Sequence, residues 1–185
     1  MNFKQEKTEK ERMARLVKLA KEKDTNAFSL LYEMVYTDLY RMALYTLSNP
    51  QDAEDIVSET VLDAYMQLGS LRDETAFRRW IFHILGNKCK HKIKEYIHER
   101  NTRTLEPSEE LQVQSEKASA EMENIIDRQD IAHAFAVLEP EERLIVTMVV
   151  YGGYNSREIA ELLHKNRNTI RSKYRRSLEK MQKLL

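Results

Sequence analysis

Apolar residues recur at steps of three and four along most of the chain, and strict alternation appears nowhere, so the pattern predicts helices almost throughout. Lys7 to Lys23 reads as a charged helix with Met13, Leu16, Val17, Leu19 and Ala20 as its apolar positions. Asp24 is placed to cap the next helix, whose inner positions are Phe28, Leu31, Tyr32, Val35, Leu39, Tyr40 and Ala43. Asn49-Pro50 is a start signal, an Asn cap with Pro at the first helical position. The helix it opens, Gln51 to Leu68, turns Ala53, Ile56, Val57, Thr60, Val61, Ala64 and Leu68 to one side. A short loop, Gly69 to Asp73, leads into a helix with Phe77, Trp80, Ile81, Ile84 and Leu85 at core spacing. Periodicity then fails from Asn101 to about Glu121, a stretch rich in Glu, Ser, Gln and Thr that reads as a linker with at most a little helix.

The pattern resumes near Met122 with Ile125, Ile126, Ile131, Ala134, Phe135 and Leu138. Glu139-Pro140-Glu141-Glu142 is an acidic, Pro-started entry to Arg143–Tyr151, and Gly152-Gly153 ends that helix. Asn155 and Glu158 then stand at capping-box spacing before Ile159, Ala160, Leu162 and Leu163. His164-Lys165 is a break and Asn166 a second cap, after which Ile170, Tyr174, Leu178 and Met181 share one face. Arg167, Asn168, Arg171, Ser172 and Arg175 fall on the other side and its flanks. Two helices about a tight turn, the second apolar inside and basic outside, read as a helix-turn-helix whose second helix enters DNA. The plainer reading is an amphipathic hairpin with a solvated basic face. The fold class expected is all-α: an N-terminal helical domain over 1–100, a flexible acidic linker over 101–121 and a helix-turn-helix domain over 122–185.

Composition agrees. Four Gly and three Pro in 185 residues leave few breaks. The longest apolar run, Leu144 to Tyr151, is far short of a membrane span. The charged N-terminus carries no apolar signal region, and one cysteine, Cys89, suits a reducing compartment, so a cytoplasmic location is expected.

The net charge of zero would argue against nucleic acid, but its distribution reverses that. Arg78 to Lys94 holds six Lys/Arg and no acid, and Asn166 to Leu185 holds seven against Glu179 alone. Glu99 to Asp130 holds nine acids against four bases. Two basic patches with an acidic strip between them suggest two phosphate-facing surfaces. About 20 linker residues reach roughly 65–70 Å when extended. That is near two turns of B-DNA at about 34–36 Å each, so the tether could place the two surfaces on separated sites. On the 51–68 helix, Asp52, Glu54, Asp55, Glu59 and Asp63 load the first turns with negative charge. Dipole compensation covers Asp52 and Glu54, whereas Glu59 and Asp63 point to a basic partner. His83, Cys89, His91 and His98 do not make a metal set: on a helix, 89 and 91 sit about 200° apart and nothing completes four ligands. With no phosphate-cradling Gly loop and no nucleophile beside a base, neither an enzyme nor a cofactor is expected.

With both basic helices placed, the chain resembles the extracytoplasmic-function sigma factors, the two-domain class of bacterial RNA polymerase sigma subunits. DAEDIVSETVLDAY, Asp52 to Tyr65, is similar to the family's acidic core-binding helix. FRRWIFHILGNKCKHKI, Phe77 to Ile93, resembles its promoter-melting helix at Phe77, Trp80, Ile84 and Asn87. LEPEERLIV and GYNSREIAELLHKNRNTIRSKYRRSLEKM resemble its C-terminal region, including Glu158-Ile159-Ala160 and Thr169-Ile170. Together the matches run from about Leu16 to Leu184. The chain departs from the family pattern at Ser58, Val61, Pro140 and His91, and at His164, which replaces the Gly usual in the turn.

The resemblance implies initiation of transcription at specific promoters, in a stress or envelope response. Asp52, Glu54, Asp55, Ile56 and Glu59 would meet the clamp helices of the polymerase largest subunit. Arg79, His83, Asn87, Lys88, His91 and Lys94 would line the groove for the opened −10 strand, with Gly69 to Asp73 as the loop for a flipped base. Arg167, Asn168, Arg171 and Arg175 would read the −35 element, because Arg can grip guanine and Asn adenine bidentately. Ser172, Lys173 and Arg176 would complete that surface, the last two on phosphate. Core polymerase (clamp helices and flap), promoter DNA and an anti-sigma factor are the implied partners. A helix-turn-helix regulator acting on duplex DNA without polymerase is the alternative.

Overall fold

The computed structural model describes residues 3–102 and 125–184, with side chains placed except at 3–7 and 125–129. Most of the expected linker, from 103 on, lies outside the described residues. Eight α-helices and two short 3₁₀ turns make up the described chain: α1 (Phe3–Lys21), α2 (Thr25–Leu47), α3 (Pro50–Gln67), turns at Leu68–Ser70 and Glu74–Ala76, α4 (Phe77–Thr102), α5 (Ile125–Ala136), α6 (Pro140–Val150), α7 (Ser156–Leu163) and α8 (Arg167–Gln182). The all-helical expectation holds. None of these helices is long and apolar enough to cross a membrane.

The predicted caps set the boundaries. The Asp24 carboxylate accepts from the Ala27 amide at 3.0 Å, starting α2. Asn49 Oδ1 accepts from the amides of Gln51 (3.0 Å) and Asp52 (3.2 Å), with Pro50 behind it at the first position. Asn155 and Glu158 close both halves of the capping box on α7, and Asn166 caps α8 through the Asn168 amide at 2.8 Å. Such caps contribute about 1 kcal/mol each, which matters most for α7 with its eight residues. At the end of α7, His164 takes the left-handed conformation (φ 53°, ψ 46°) that a Gly would favour. The turn geometry therefore survives the substitution. The cost is about 1–2 kcal/mol of Cβ crowding.

Leu31, Leu39, Met42, Phe77, Ile81, Phe82 and Leu85 are completely buried among α2 and α4, with Ala53, Val57 and Ala64 closing the core from α3. That core does not stop at the N-terminal half. Leu144, Ile145 and Met148 of α6, Ile159 and Leu162 of α7 and Ile170 of α8 belong to the same cluster. Gly86 lets the two halves approach: a Cβ there would stand 3.1 Å from Met148 Cε and 3.5 Å from Leu162 Cδ1. A smaller cluster joins Phe135, Leu138 and Val146 to Tyr45 of α2, whose ring stacks on Phe135 at 4.9 Å. The spacing of Leu178 misleads: it is 41 % exposed, whereas Ser177 is fully buried and returns its hydroxyl to the Lys173 carbonyl.

Candidate nucleic-acid and polymerase interfaces

The outer face of α8 is built by capping and ion pairing rather than by burial. Glu141 accepts from Lys165 and from Lys173, both at 2.7 Å, and so ties the turn and α8 to the start of α6. Burial would raise the Glu141 carboxyl, but the two ammonium groups more than offset it and hold it below its usual range. Lys180 does the same for Glu142 at 2.8 Å. On this braced helix Arg167, Asn168, Arg171, Ser172, Arg175 and Arg176 are all exposed. Lys173 is half-buried on Glu141 and points away from the row. Arg175 meets Glu179 only at 3.5 Å on an open surface, a contact worth little and easily exchanged for a phosphate or base edge.

On α4 the candidate residues divide. Arg79, His83, Asn87 and His91 follow at four-residue steps and form one stripe, with Lys94 one step further. Arg79 pairs with Glu158 and lies 4.9 Å over the Tyr154 ring. The ring of His83 stands 6.3 Å from that of Tyr154, and burial lowers its pKa, favouring the neutral imidazole. Asn87 donates to the His83 carbonyl at 3.1 Å, while His91 and Lys94 are exposed. Lys88 is not brought to this stripe. It turns to α3 and holds Glu59 at 3.0 Å and Asp63 at 2.9 Å. The surplus acid of Glu59 and Asp63, read above as calling for an external partner, is thus met in part within the chain.

The acidic helix divides as well. Asp52 is held by Lys92 at 3.0 Å and by the Tyr96 hydroxyl. Burial would raise its pKa, yet the Tyr96 hydrogen bond and the Lys92 ammonium leave it lowered. Ile56 is 6 % exposed and packs into the core, so it offers no docking surface. Glu54 and Asp55 are exposed, as is most of Glu59. Beside them stands an apolar group that the core pattern passed over: Leu62, Tyr65 and Met66 are 58 %, 46 % and 74 % exposed. Their signal was available, because none fits the inward face of α3. Cys89 is buried with its thiol pushed up to about 12, and His91 and His98 lie on the surface.

A lowered carboxyl stabilises the fold above its unfolded pKa and loses that contribution as pH falls through the folded value. For Asp52 this places the loss below about pH 4. Asp52→Asn should cost about 1–3 kcal/mol at neutral pH and flatten the acid limb of a denaturation series. An unchanged limb would show that the Tyr96 and Lys92 contacts contribute nothing net.

The sigma-70 region 2 family matches residues 31–96, which contain α3 and most of α4, and the sigma-70 region 4 family matches residues 128–181, which contain α7 and all but the last residue of α8. The ECF RNA polymerase sigma factor SigM of Mycobacterium tuberculosis is 26 % identical over 162 residues, 88 % of this chain and 79 % of the relative. The chain belongs to the extracytoplasmic-function sigma factors. BldN of Streptomyces coelicolor, of the same class, is 25 % identical over 175 residues, 94 % of this chain and 66 % of the relative. The fold is shared with the sigma factor RpoE, solved in complex with the anti-sigma factor NepR from Bartonella quintana (TM-score 0.59, 21 % identity, 85 % of this chain and 95 % of that one). It is shared too with CnrH, solved in complex with the cytosolic domain of CnrY (TM-score 0.59, 18 % identity, 94 % and 96 %). As a sigma factor this protein directs RNA polymerase to promoters and is a non-catalytic subunit of it. The region 2 match displaces the alternative of a helix-turn-helix regulator that acts on duplex DNA without polymerase.

Proposed function

We propose that the sigma factor grips its promoter at two points while a third surface holds the polymerase. The row Arg167, Asn168, Arg171 and Arg175 on α8 enters the major groove of the upstream element, with Ser172 and Arg176 at its margin. Arg79, His83, Asn87, His91 and Lys94 on α4 hold the opened strand of the downstream element, and Gly69 to Asp73 receives a flipped base. Glu54, Asp55 and Glu59 on α3, flanked by Leu62, Tyr65 and Met66, dock on the clamp helices of the largest subunit. The polymerase flap contacts the C-terminal half. Residues 1–100 and 122–185 act as the two functional domains, with 101–121 as their connection. An anti-sigma factor is the expected antagonist, as NepR is for RpoE, and the site of action is the cytoplasm.

The observation that carries this reading is the braced, outward row on α8: rotamer-rich side chains on a helix fixed at both ends can read base edges without ordering the backbone anew. Arg171→Ala should cost about 1–3 kcal/mol in upstream-element binding and relax preference at one base pair, while loss of a phosphate contact at Arg176 should weaken all sequences alike. A selection on randomised upstream elements separates the two. The reading as a whole is tested with purified core polymerase and genomic DNA. Added sigma factor should start transcripts at defined sites, whereas tight specific duplex binding with no transcription would overturn it.

A further inference from the structure

Helix α1 belongs to none of the surfaces proposed above, yet its last residue, Lys21, reaches one of them. Lys21 Nζ donates to the Leu71 carbonyl at 2.6 Å and to Glu74 Oε1 at 2.8 Å, acceptors 50 and 53 residues away in the chain. The backbone beneath Lys21 is fixed. The Asp24 amide donates to the Leu19 carbonyl at 3.2 Å and the Lys23 amide to the Ala20 carbonyl at 3.1 Å, with Lys23 in the left-handed region (φ 69°). This is a closed helix end of the Schellman type, so those two carbonyls have their partners without Lys21. Met13, Val17 and Ala20 already bury the inner face of α1. The two Lys21 contacts therefore act on the Gly69–Asp73 loop rather than on α1.

The loop has bonds of its own, but each stays on one side of it. Toward Leu68–Ser70, the Leu71 amide donates to the Leu68 carbonyl at 3.1 Å and the Ser70 hydroxyl to the Gln67 carbonyl at 2.7 Å. Toward Glu74–Ala76, Asp73 Oδ1 accepts from the Thr75 amide at 2.9 Å and from its hydroxyl at 2.7 Å. None of these four crosses Arg72. Lys21 does, by joining Leu71 to Glu74. Leu71 is buried, whereas Gly69, Ser70, Arg72 and Asp73 are exposed, so the clamp grips the inner edge of the loop and leaves its polar residues at the surface. Open ion pairs contribute little. This one is largely covered, at 22 % and 26 % exposed, and its ammonium has the carbonyl of a buried residue as second acceptor. The Glu74 carboxyl is held below its usual range, first by the Lys21 hydrogen bond and only last by the charge of Lys18.

We propose that Lys21 is a positioning residue for base selection: it holds Leu71 and Glu74 at a set separation, so that Arg72 and Asp73 between them meet the flipped base in one geometry. This rests on the reading that Gly69 to Asp73 receives that base. Lys21 itself touches no DNA. A loop shaped before the base arrives loses less of its binding energy to ordering, and telling bases apart needs donors and acceptors at fixed places.

The test is transcription by core polymerase with the full-length chain on promoters randomised across the downstream element. With the unmodified chain, one position should show the preference set by the loop. Lys21→Met keeps the aliphatic stem and removes the ammonium. It should lower the preference at that position about tenfold, the order of one misplaced base contact, and leave the other positions and the upstream element as they were. An unfolded chain would lose all positions together. Lys21→Arg, which can still donate to both acceptors, should restore the preference. Glu74→Gln keeps the carbonyl bond and should give a smaller loss at the same position, and it carries the test if Lys21→Met does not fold. Unchanged preference in Lys21→Met, an equal fall at every position, or a loss that Lys21→Arg does not restore would overturn the proposal. The reading beneath it is checked by Arg72→Ala combined with Asp73→Asn. An unaltered profile from that chain would show that the loop receives no base, whereas lost preference there beside kept preference in Lys21→Met would strike the clamp alone.

Discussion

Asp55→Arg is expected to abolish association with core polymerase while leaving the fold intact. Asp55 stands outward on α3 and has no side-chain partner among the described residues, so reversing its charge removes no internal contact. A substitution at such a site stays within about ±0.5 kcal/mol of folding stability. Toward a basic docking partner the same change replaces an attraction by a repulsion, worth several kcal/mol. At about 1.4 kcal/mol per tenfold, affinity should fall at least about a hundredfold. Asp52 would make a poor substitute for this test, because its carboxylate is committed to Lys92 and Tyr96 and its loss would confuse docking with folding. Glu59 is a weaker probe too, since Lys88 shares its charge. Co-purification with core polymerase beside a thermal melt decides the matter. Full association by a folded Asp55→Arg chain would remove α3 from the proposed docking surface.

Phe82→Ala should bring the largest loss of stability. Phe82 is completely buried on α4, and the Arg78 guanidinium lies 4.9 Å over its ring. Truncation removes the transfer free energy of the ring and leaves a cavity that helices packed on several sides cannot close, for about 3–5 kcal/mol. Against a total of about 5–15 kcal/mol for an ordinary domain, that is a large fraction. The core is continuous from α2 and α4 into α6 and α7, so the loss should appear in the whole unfolding transition rather than in the N-terminal half alone. A two-step denaturation curve, with only the first step shifted, would show that the halves unfold independently.

Much of the architecture was legible because it is written in local rules. Asp24, Asn49, Asn155 and Asn166 each satisfy the orphan amides of the helix they precede, and short-range chemistry of that kind needs no knowledge of the rest of the fold. The inward stripes of α2, α3 and α4 followed from spacing in the same way. Spacing gave way where the partner surface is narrow. On α8 the buried stripe passes through Ile170 and Ser177 rather than reaching Leu178, because a helix resting on α6 and α7 has less to cover than a helix in a full bundle. His164 shows the reverse case, in which a residue poorly suited to the left-handed region still adopts it because the capped helices on either side leave no other turn.

Charge was the least transferable signal. The acids of α3 look alike in sequence, yet Asp52, Glu59 and Asp63 are answered by Lys92, Tyr96 and Lys88 across helix pairs, while Glu54 and Asp55 are left to face outward. Lys90 carries no local mark that separates it from its basic neighbours, and it acts on a carbonyl 72 residues away. The sequence by itself determined the helices, their caps, the helix-turn-helix and the family, because periodicity, capping and motif order are all properties of neighbours along the chain. The tertiary structure alone decided which charges are spent inside the molecule, and that the C-terminal half shares one apolar core with α2 and α4, because both depend on contacts between residues far apart in the chain.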